Sequence, residues 1–329
     1  MSVVEEEVAA PPPGPRHPLR APRRPKHATA PHVPPSPRRP PSEPLPPLTA
    51  RQALIRGILV MVASLVTMFA LTLLVFGHIS YLAGQQQLTD RFREELAAGT
   101  APVSEGDFDD VLLSDGDPVA IIDIPAIGLY DVVTEGTSST TLMNGPGHRR
   151  DTVLPGQRGV SVLMGRATAY GGPFGGLSSL APGDRFTVTT GQGEQVFEVM
   201  GTRYAGDPLP PNPVAGESRL ILQTARGGPL VPVGVQYLDA TLVSEAQPTG
   251  ARLTTSATLP PQDAAMATDT RTVWALVFAL QFLLVAEAGA VWAFRRFGWR
   301  KTWIVFVPLL LLASLLTATQ VAVLLPNLI

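Results

Sequence analysis

Apolar and polar positions are sharply separated along this 329-residue chain. Three long, nearly uncharged apolar runs are predicted at residues 54–78, 272–294 and 302–326. A helix of about 20 apolar residues crosses the hydrocarbon core of a bilayer, so each run is predicted to be a membrane-spanning helix. The chain is therefore predicted to be a multi-pass membrane protein.

Between the first and second apolar runs, residues 118–245 show a different pattern. Short runs rich in β-branched residues alternate apolar and polar positions and are separated by Gly, Pro and Asp, which is typical of strands. The candidate strands are residues 118–124, 128–134, 159–165, 184–190, 195–204, 219–224 and 236–243. Seven short strands in one segment predict a single all-β barrel or sandwich.

The remaining segments are predicted to be connections. Residues 79–117 are interpreted as an extracytoplasmic stalk and linker, 246–271 as a second linker, and 295–301 as a basic loop. Residues 1–53 are rich in Pro and Arg and are predicted to be a disordered tail. The alternatives for this tail are a solvated segment that fixes orientation and a docking strip for a cytoplasmic partner or for anionic lipid.

Charge predicts how the chain is oriented in the membrane. Nine Lys and Arg residues precede the first span, and four more lie in the loop 295–301, whereas residues 79–271 contain 12 Arg, no Lys and 22 acidic residues. Short flanks rich in Lys and Arg stay in the cytoplasm. The N-terminus is therefore predicted to be cytoplasmic, and the β-rich segment extracytoplasmic at the cell membrane.

The composition also limits the chemistry, because the chain contains no Cys. Disulfides, thiolate metal sites and a Cys nucleophile are all excluded. We expect no metal, no cofactor and no nucleic-acid partner.

Ordered motifs in residues 120–243 resemble a known family. Residues 121–165 contain IP-x-IG-L, then EGT, then GPGH-x3-T-x-LPG-x-x-G; residues 168–188 read TAYGGPFGGLSSLAPGDRFTV, and residues 218–225 read SRLILQTA. This series resembles the sortase family, most closely its class E, actinobacterial type. The resemblance implies an eight-stranded β-barrel, here combined with three transmembrane α-helices. It also implies recognition of a sorting signal such as LPxTG.

The same resemblance implies a Cys thiolate, a His and an Arg as the reacting groups of the family. In this chain Arg166 stands at the position of the His, Ala225 at that of the Cys, and Gln236 near that of the Arg. A guanidinium stays protonated and cannot act as a general base, and a methyl group cannot attack a carbonyl. The chain is therefore predicted to be a catalytically degenerate sortase.

Several residues around these positions are candidates for binding a ligand. Thr224 is predicted to face away from the site of Ala225, because neighbouring residues of a strand point to opposite faces. Arg166 and Arg226 are either ordinary surface cations or a pair that grips a carboxylate. His148 is predicted to hydrogen-bond within a turn, with a residual catalytic role as the alternative. Tyr170 completes the candidate set.

Two polar residues, Gln281 and Glu287, lie inside the second span. A carboxyl group in a span is a functional candidate by default. We expect Glu287 to hold spans together through a hydrogen bond to Ser64 or Thr67, with a proton or ion path as the alternative.

Together these features predict a membrane-anchored pseudoenzyme of the cell surface that binds a peptide, such as a sorting signal, or a protein partner. One alternative is an active sortase-type transpeptidase or hydrolase with a non-Cys nucleophile. The other is a structural subunit of a membrane complex.

Overall fold

This computed structural model describes residues 49–106, 111–228 and 230–329. Its first element is one continuous helix made of α1 (Ala50–Leu71), a π-helical turn (Thr72–Phe76) and α2 (Gly77–Ala98). The Pro- and Arg-rich tail up to residue 48, and any partner expected for it, lie outside the described residues.

Eight strands form a closed barrel in the order β1-β2-β3-β4-β7-β8-β6-β5. The pairs β2–β3 and β4–β7 are parallel and the others antiparallel. Their bounds are β1 Pro118–Ile124, β2 Leu129–Glu135, β3 Gly147–His148, β4 Gly159–Met164, β5 Arg185–Thr190, β6 Gly193–Tyr204, β7 Ser218–Gly228 and β8 Val231–Leu242. The predicted eight-stranded barrel is confirmed.

Strand β3 was not among the seven runs found from the pattern, because two residues are too few to show alternation. Strands β7 and β8 also extend well beyond the predicted 219–224 and 236–243, since they continue into a hairpin at Gly228 and Val231. Inside the barrel the core is built from alternate residues of each strand, among them Ile122, Leu163, Val188, Phe197, Leu220, Leu222, Leu238 and Ala240.

Helix α2 packs against the outside of β1 and β2. Phe92 is fully buried there with Ile121 and Val132, and the Tyr81 hydroxyl donates a 2.6 Å hydrogen bond to Asp131. Helix α2, which continues the first apolar run as a more polar segment, therefore fixes the first helix to the barrel.

Two further helices, α3 (Val273–Phe297) and α4 (Trp299–Val323), form a hairpin through Gly298. The φ of Gly298 is +78°, in a region that glycine adopts without the steric cost paid by other residues. With the first helix, they make three helices long and apolar enough to cross a membrane. The prediction of three helices with the length and composition of membrane spans is therefore confirmed.

The expected contact of Glu287 with Ser64 or Thr67 is not formed. Helix α3 packs against α4, and it is α4 that packs against α1. Among the described residues, no hydrogen bond to the Glu287 carboxyl is found. The prediction was wrong because it assumed that α3 lies next to α1.

The two segments predicted as linkers are held against the barrel. The backbone N–H of Thr254 donates a 2.8 Å hydrogen bond to the carboxylate of Glu105, which joins one segment to the other. Asp263 is buried, and its backbone oxygen accepts a 2.7 Å bond from the Thr137 hydroxyl. Ala265 and Met266 pack against the cluster that contains Val162 and Met164, so residues 261–267 lie beside the outer face of the barrel.

Candidate functional site

A groove lies on the outer face of β4, β7 and β8. Side chains alternate along these strands, so that Leu163 belongs to the barrel core while Val162 and Met164 belong to an outer cluster. Ala225 of β7 and Val235 of β8 pack against the same outer cluster. The floor of the groove is therefore apolar.

Arg166 lies just after β4 at one end of this groove and is 0% exposed. One terminal nitrogen donates to the backbone oxygen and the hydroxyl of Ser139, both at 2.9 Å. The other donates to the backbone oxygen of Ile329 at 3.0 Å. The guanidinium carbon is 5.1 Å from the centre of the Tyr170 ring, within cation–π range.

Burial lowers the pKa of Arg166 to about 10, because the charged form loses its hydration, while Tyr170 acts in the opposite direction. Even so, the group stays protonated at neutral pH. Arg166 is therefore a buried cation that donates hydrogen bonds and has no lone pair with which to take up a proton.

The pairing of β7 with β8 decides which residues share the groove. Ala225 pairs with Val235, and Thr224 pairs with Gln236. Directly paired residues point to the same face of an antiparallel sheet. Thr224 and Gln236 therefore face the barrel interior, where both are buried, and neither the Thr224 hydroxyl nor the Gln236 amide nitrogen has a hydrogen-bond partner among the described residues.

The residue on β8 that lies beside Ala225 is accordingly Val235, which sequence reasoning did not single out. The motif spacing pointed to Gln236 on this strand, which is one position after the groove-facing residue Val235. Only the register of the two strands shows which of Val235 and Gln236 faces outward.

Arg226 and Arg166 have separate partners. Arg226 is exposed and stacks over Tyr204 at 4.7 Å, whereas the guanidinium of Arg166 is enclosed. Tyr170 is also buried, and packs with Leu73 and Ala322 of the helices. In this arrangement the two arginines do not present a joint surface to a carboxylate.

His148 lies on β3 in a buried polar network. Its Nδ1 is 2.8 Å from the Glu135 carboxylate, and its Nε2 is 2.9 Å from the backbone oxygen of Val153. Arg150 lies 3.8 Å from the other Glu135 oxygen and 2.9 Å from Asp115. Both ring nitrogens are therefore engaged in contacts that hold the loop after β3.

The chain's own residues 327–329 occupy the groove. Leu328 is fully buried in the outer cluster, and its backbone oxygen accepts a 2.9 Å hydrogen bond from the N–H of Ala167. The Asn327 amide donates to the backbone oxygens of Thr137 at 2.8 Å and Ala264 at 3.0 Å. The sequence pattern gave no sign of this, because these residues follow an apolar run directly.

Residues 122–226 match the Sortase family model, described as a sortase domain. Among curated proteins, Sortase D of Bacillus subtilis (strain 168) is 30% identical over 88 residues, which are 27% of this chain and 43% of that protein. The match thus spans less than half of that relative's length.

Solved structures with a similar fold include two sortases. A Sortase D5 transpeptidase of Clostridium perfringens has 21% identity and a TM-score of 0.41, over 49% of this chain and 99% of that one. Sortase E of Streptomyces avermitilis has 25% identity and a TM-score of 0.34, over 40% and 91%.

The match to the sortase domain model begins in β1 at Ile122 and ends in β7 at Arg226, within the closed barrel.

Proposed function

We propose that this protein is a membrane-anchored sortase-like pseudoenzyme of the class E type, which binds a peptide or protein at the cell surface without acyl transfer. The observation that carries the proposal is Ala225 on the groove side of β7, at the position where the family resemblance implies the Cys. Its methyl group has no nucleophilic atom.

No neighbouring side chain supplies the missing chemistry. The Thr224 hydroxyl faces the barrel interior, and a nucleophile there would be separated from the groove by the sheet. Arg166 remains cationic and is bound to Ser139 and Ile329, so it cannot activate a hydroxyl by removing its proton. Val235, beside Ala225, is apolar and has no charge for a developing oxyanion.

A peptide is the partner that this groove favours. The segment that lies in it, residues 327–329, directly follows Leu325-Pro326, which is the Leu-Pro pair of the LPxTG signal implied by the resemblance. The apolar floor and the backbone groups at its edge suit an apolar peptide of this kind.

The proposed orientation rests on charge. The Lys- and Arg-rich flanks before the first span and in the loop 295–301 favour a cytoplasmic N-terminus, with the barrel outside. The Pro- and Arg-rich tail is then available to a cytoplasmic partner.

The proposal is tested with the full chain in detergent, incubated with an LPxTG-type peptide and an amine acceptor, with a working sortase run in parallel. We expect no transpeptidation or hydrolysis above the buffer background. Mass spectrometry of the intact protein should show no acyl adduct. An adduct on any side chain of the barrel would overturn the proposal.

A structural membrane subunit is the second candidate, favoured by Glu287. This carboxyl lies within a membrane-length helix without a hydrogen-bond partner among the described residues. A polar side chain that is unpaired in a span is a means of joining helices of different chains. If this is its role, Glu287→Leu abolishes co-purification of a membrane partner while Gln281→Leu, six residues away on the same helix, preserves it.

A further inference from the structure

The polar contacts around residues 327–329 are specific in their chemistry. Each amide hydrogen of Asn327 has its own backbone acceptor, Thr137 or Ala264, and the Asn327 backbone N–H donates to Ala267 at 3.0 Å. An aspartate at this position would instead place a carboxylate oxygen, which can only accept a hydrogen bond, against these two carbonyl oxygens. The site therefore distinguishes an amide from a carboxylate of the same shape.

The neighbouring residue is recognised by shape and by its backbone. Leu328 fills a pocket formed by Leu142, Val162 and Met164, and its carbonyl is fixed by Ala167. The backbone oxygen of the next residue, Ile329, is held by Arg166. A buried leucine between two fixed backbone groups is the arrangement of a bound peptide, here supplied by the same chain.

The segment is delivered to the groove by α4. Only residues 324–326 separate the end of the helix at Val323 from Asn327. Ala322 packs in the cluster that contains Tyr81 of α2 and Tyr170, and Tyr170 in turn lies against Arg166. A ligand on so short a tether has a local concentration of about millimolar or more, so it outcompetes ordinary concentrations of a free ligand.

We infer that residues 327–329 are an intrinsic ligand which closes the peptide groove of the barrel, and that the groove accepts a separate peptide with an Asn-Leu pair once this segment leaves. The inference deepens the proposed function and rests on it for the groove's role in binding a partner. It adds that the resting protein is autoinhibited.

The absence of Cys allows a direct test with the full chain. Val162→Cys places a single thiol beneath Leu328, and its rate of reaction with a maleimide measures occupancy of the groove. Combining it with Asn327→Asp should release the segment and raise the labelling rate about tenfold or more, because two donated hydrogen bonds are replaced by repulsion. The same amide-to-acid change at the exposed Asn212 is the matched control and should leave the rate unchanged.

A synthetic peptide, acetyl-LLPNLI, then tests the groove itself. Added to the Val162→Cys, Asn327→Asp chain, it should restore slow labelling, while the peptide with Asp in place of Asn should not. Restored protection also demonstrates that the variant is folded. Equal labelling rates with and without Asn327→Asp, or no protection by the peptide, would overturn the inference. Neither readout depends on acyl transfer, whose detection would instead refute the proposed function.

Discussion

At the scale of single residues, the charged side chain at the end of the groove, Arg166, cannot act as a general base. Arg166 is enclosed, and its charge is met by oxygens of Ser139 and Ile329 and by the ring of Tyr170. Removing a buried cation from its partners is costly, so its environment favours a fixed structural contact. Arg166 thus stabilises the occupied groove.

A second buried ionisable residue, Asp131, predicts a dependence of stability on pH. Burial raises the pKa of Asp131 to about 6 from 3.8, although the hydrogen bond from Tyr81 opposes the shift. The folded state therefore binds a proton more tightly than the unfolded state. The free energy of unfolding should rise by up to about 3 kcal/mol as the pH falls from above 6 to about 4, and this gain is lost as the pH rises through 6.

The variant Asp131→Asn keeps an acceptor for Tyr81 and removes the titration. Unfolding followed between pH 4 and 8 should show a smaller slope and a higher stability at pH 8. A residual slope of the same sign is expected from Asp263, since burial and then Asp115 raise its pKa to about 6. Asp90→Asn, on the exposed face of α2, is the control. An unchanged slope in Asp131→Asn would contradict this account.

At the scale of elements, α2 completes the barrel as well as supporting it. Strand β3 pairs with β2 only at Thr134 and Glu135, so Val132 lies beyond the end of that pairing. The Gln85 amide takes its place: it accepts from the Val132 N–H at 2.7 Å and donates to the Val132 oxygen at 3.0 Å. A side chain on the stalk helix thus satisfies backbone groups that a longer β3 would have paired.

This role predicts the effect of Gln85→Ala. The Val132 N–H and the oxygens of Val132 and Asn144 would lose their partner, which costs about 2 kcal/mol or more. Hydrogen exchange at Val132 should accelerate about 30-fold. The neighbouring Gln86→Ala is exposed and should have no effect. Equal exchange rates in the two variants would exclude a pairing role for Gln85.

At the scale of the whole molecule, the barrel is fixed to the helices at both ends of the chain that the structure describes. Helix α2 packs on β1 and β2, and the end of α4 packs with Tyr81 and Tyr170. The α3–α4 turn at Gly298 lies at the other end of these two helices. The end of α4 that packs with Tyr81 and Tyr170 is therefore the end far from the basic loop 295–301.

The proposed orientation predicts which sites reagents reach in intact cells. A thiol introduced by Thr249→Cys, at an exposed position in the segment after β8, should react with a membrane-impermeant maleimide added outside. One introduced by Phe297→Cys, within the basic loop 295–301, should react only after the cells are permeabilised. Labelling of the second site in intact cells, with the first protected, would show that the chain is inverted.

Much of the fold could be predicted from local pattern. Hydrophobic length gave the three helices, and alternation gave seven of the eight strands. The missing strand, Gly147–His148, owes its pairing to neighbours in space and has no periodicity of its own. The packing of α3 against α4 was equally invisible, because apolar faces in a span do not specify which helix they meet.

The sequence by itself determined that this chain has no thiol, that Ala stands at position 225 and that Arg stands at 166, because identity at a motif position needs no coordinates. Tertiary structure alone decided that Gln236 faces inward while Val235 lines the groove, since strand register sets the face. It also decided that residues 327–329 fill that groove. This contact joins positions about 160 residues apart, Arg166 and Ile329, and no local preference of either segment encodes it.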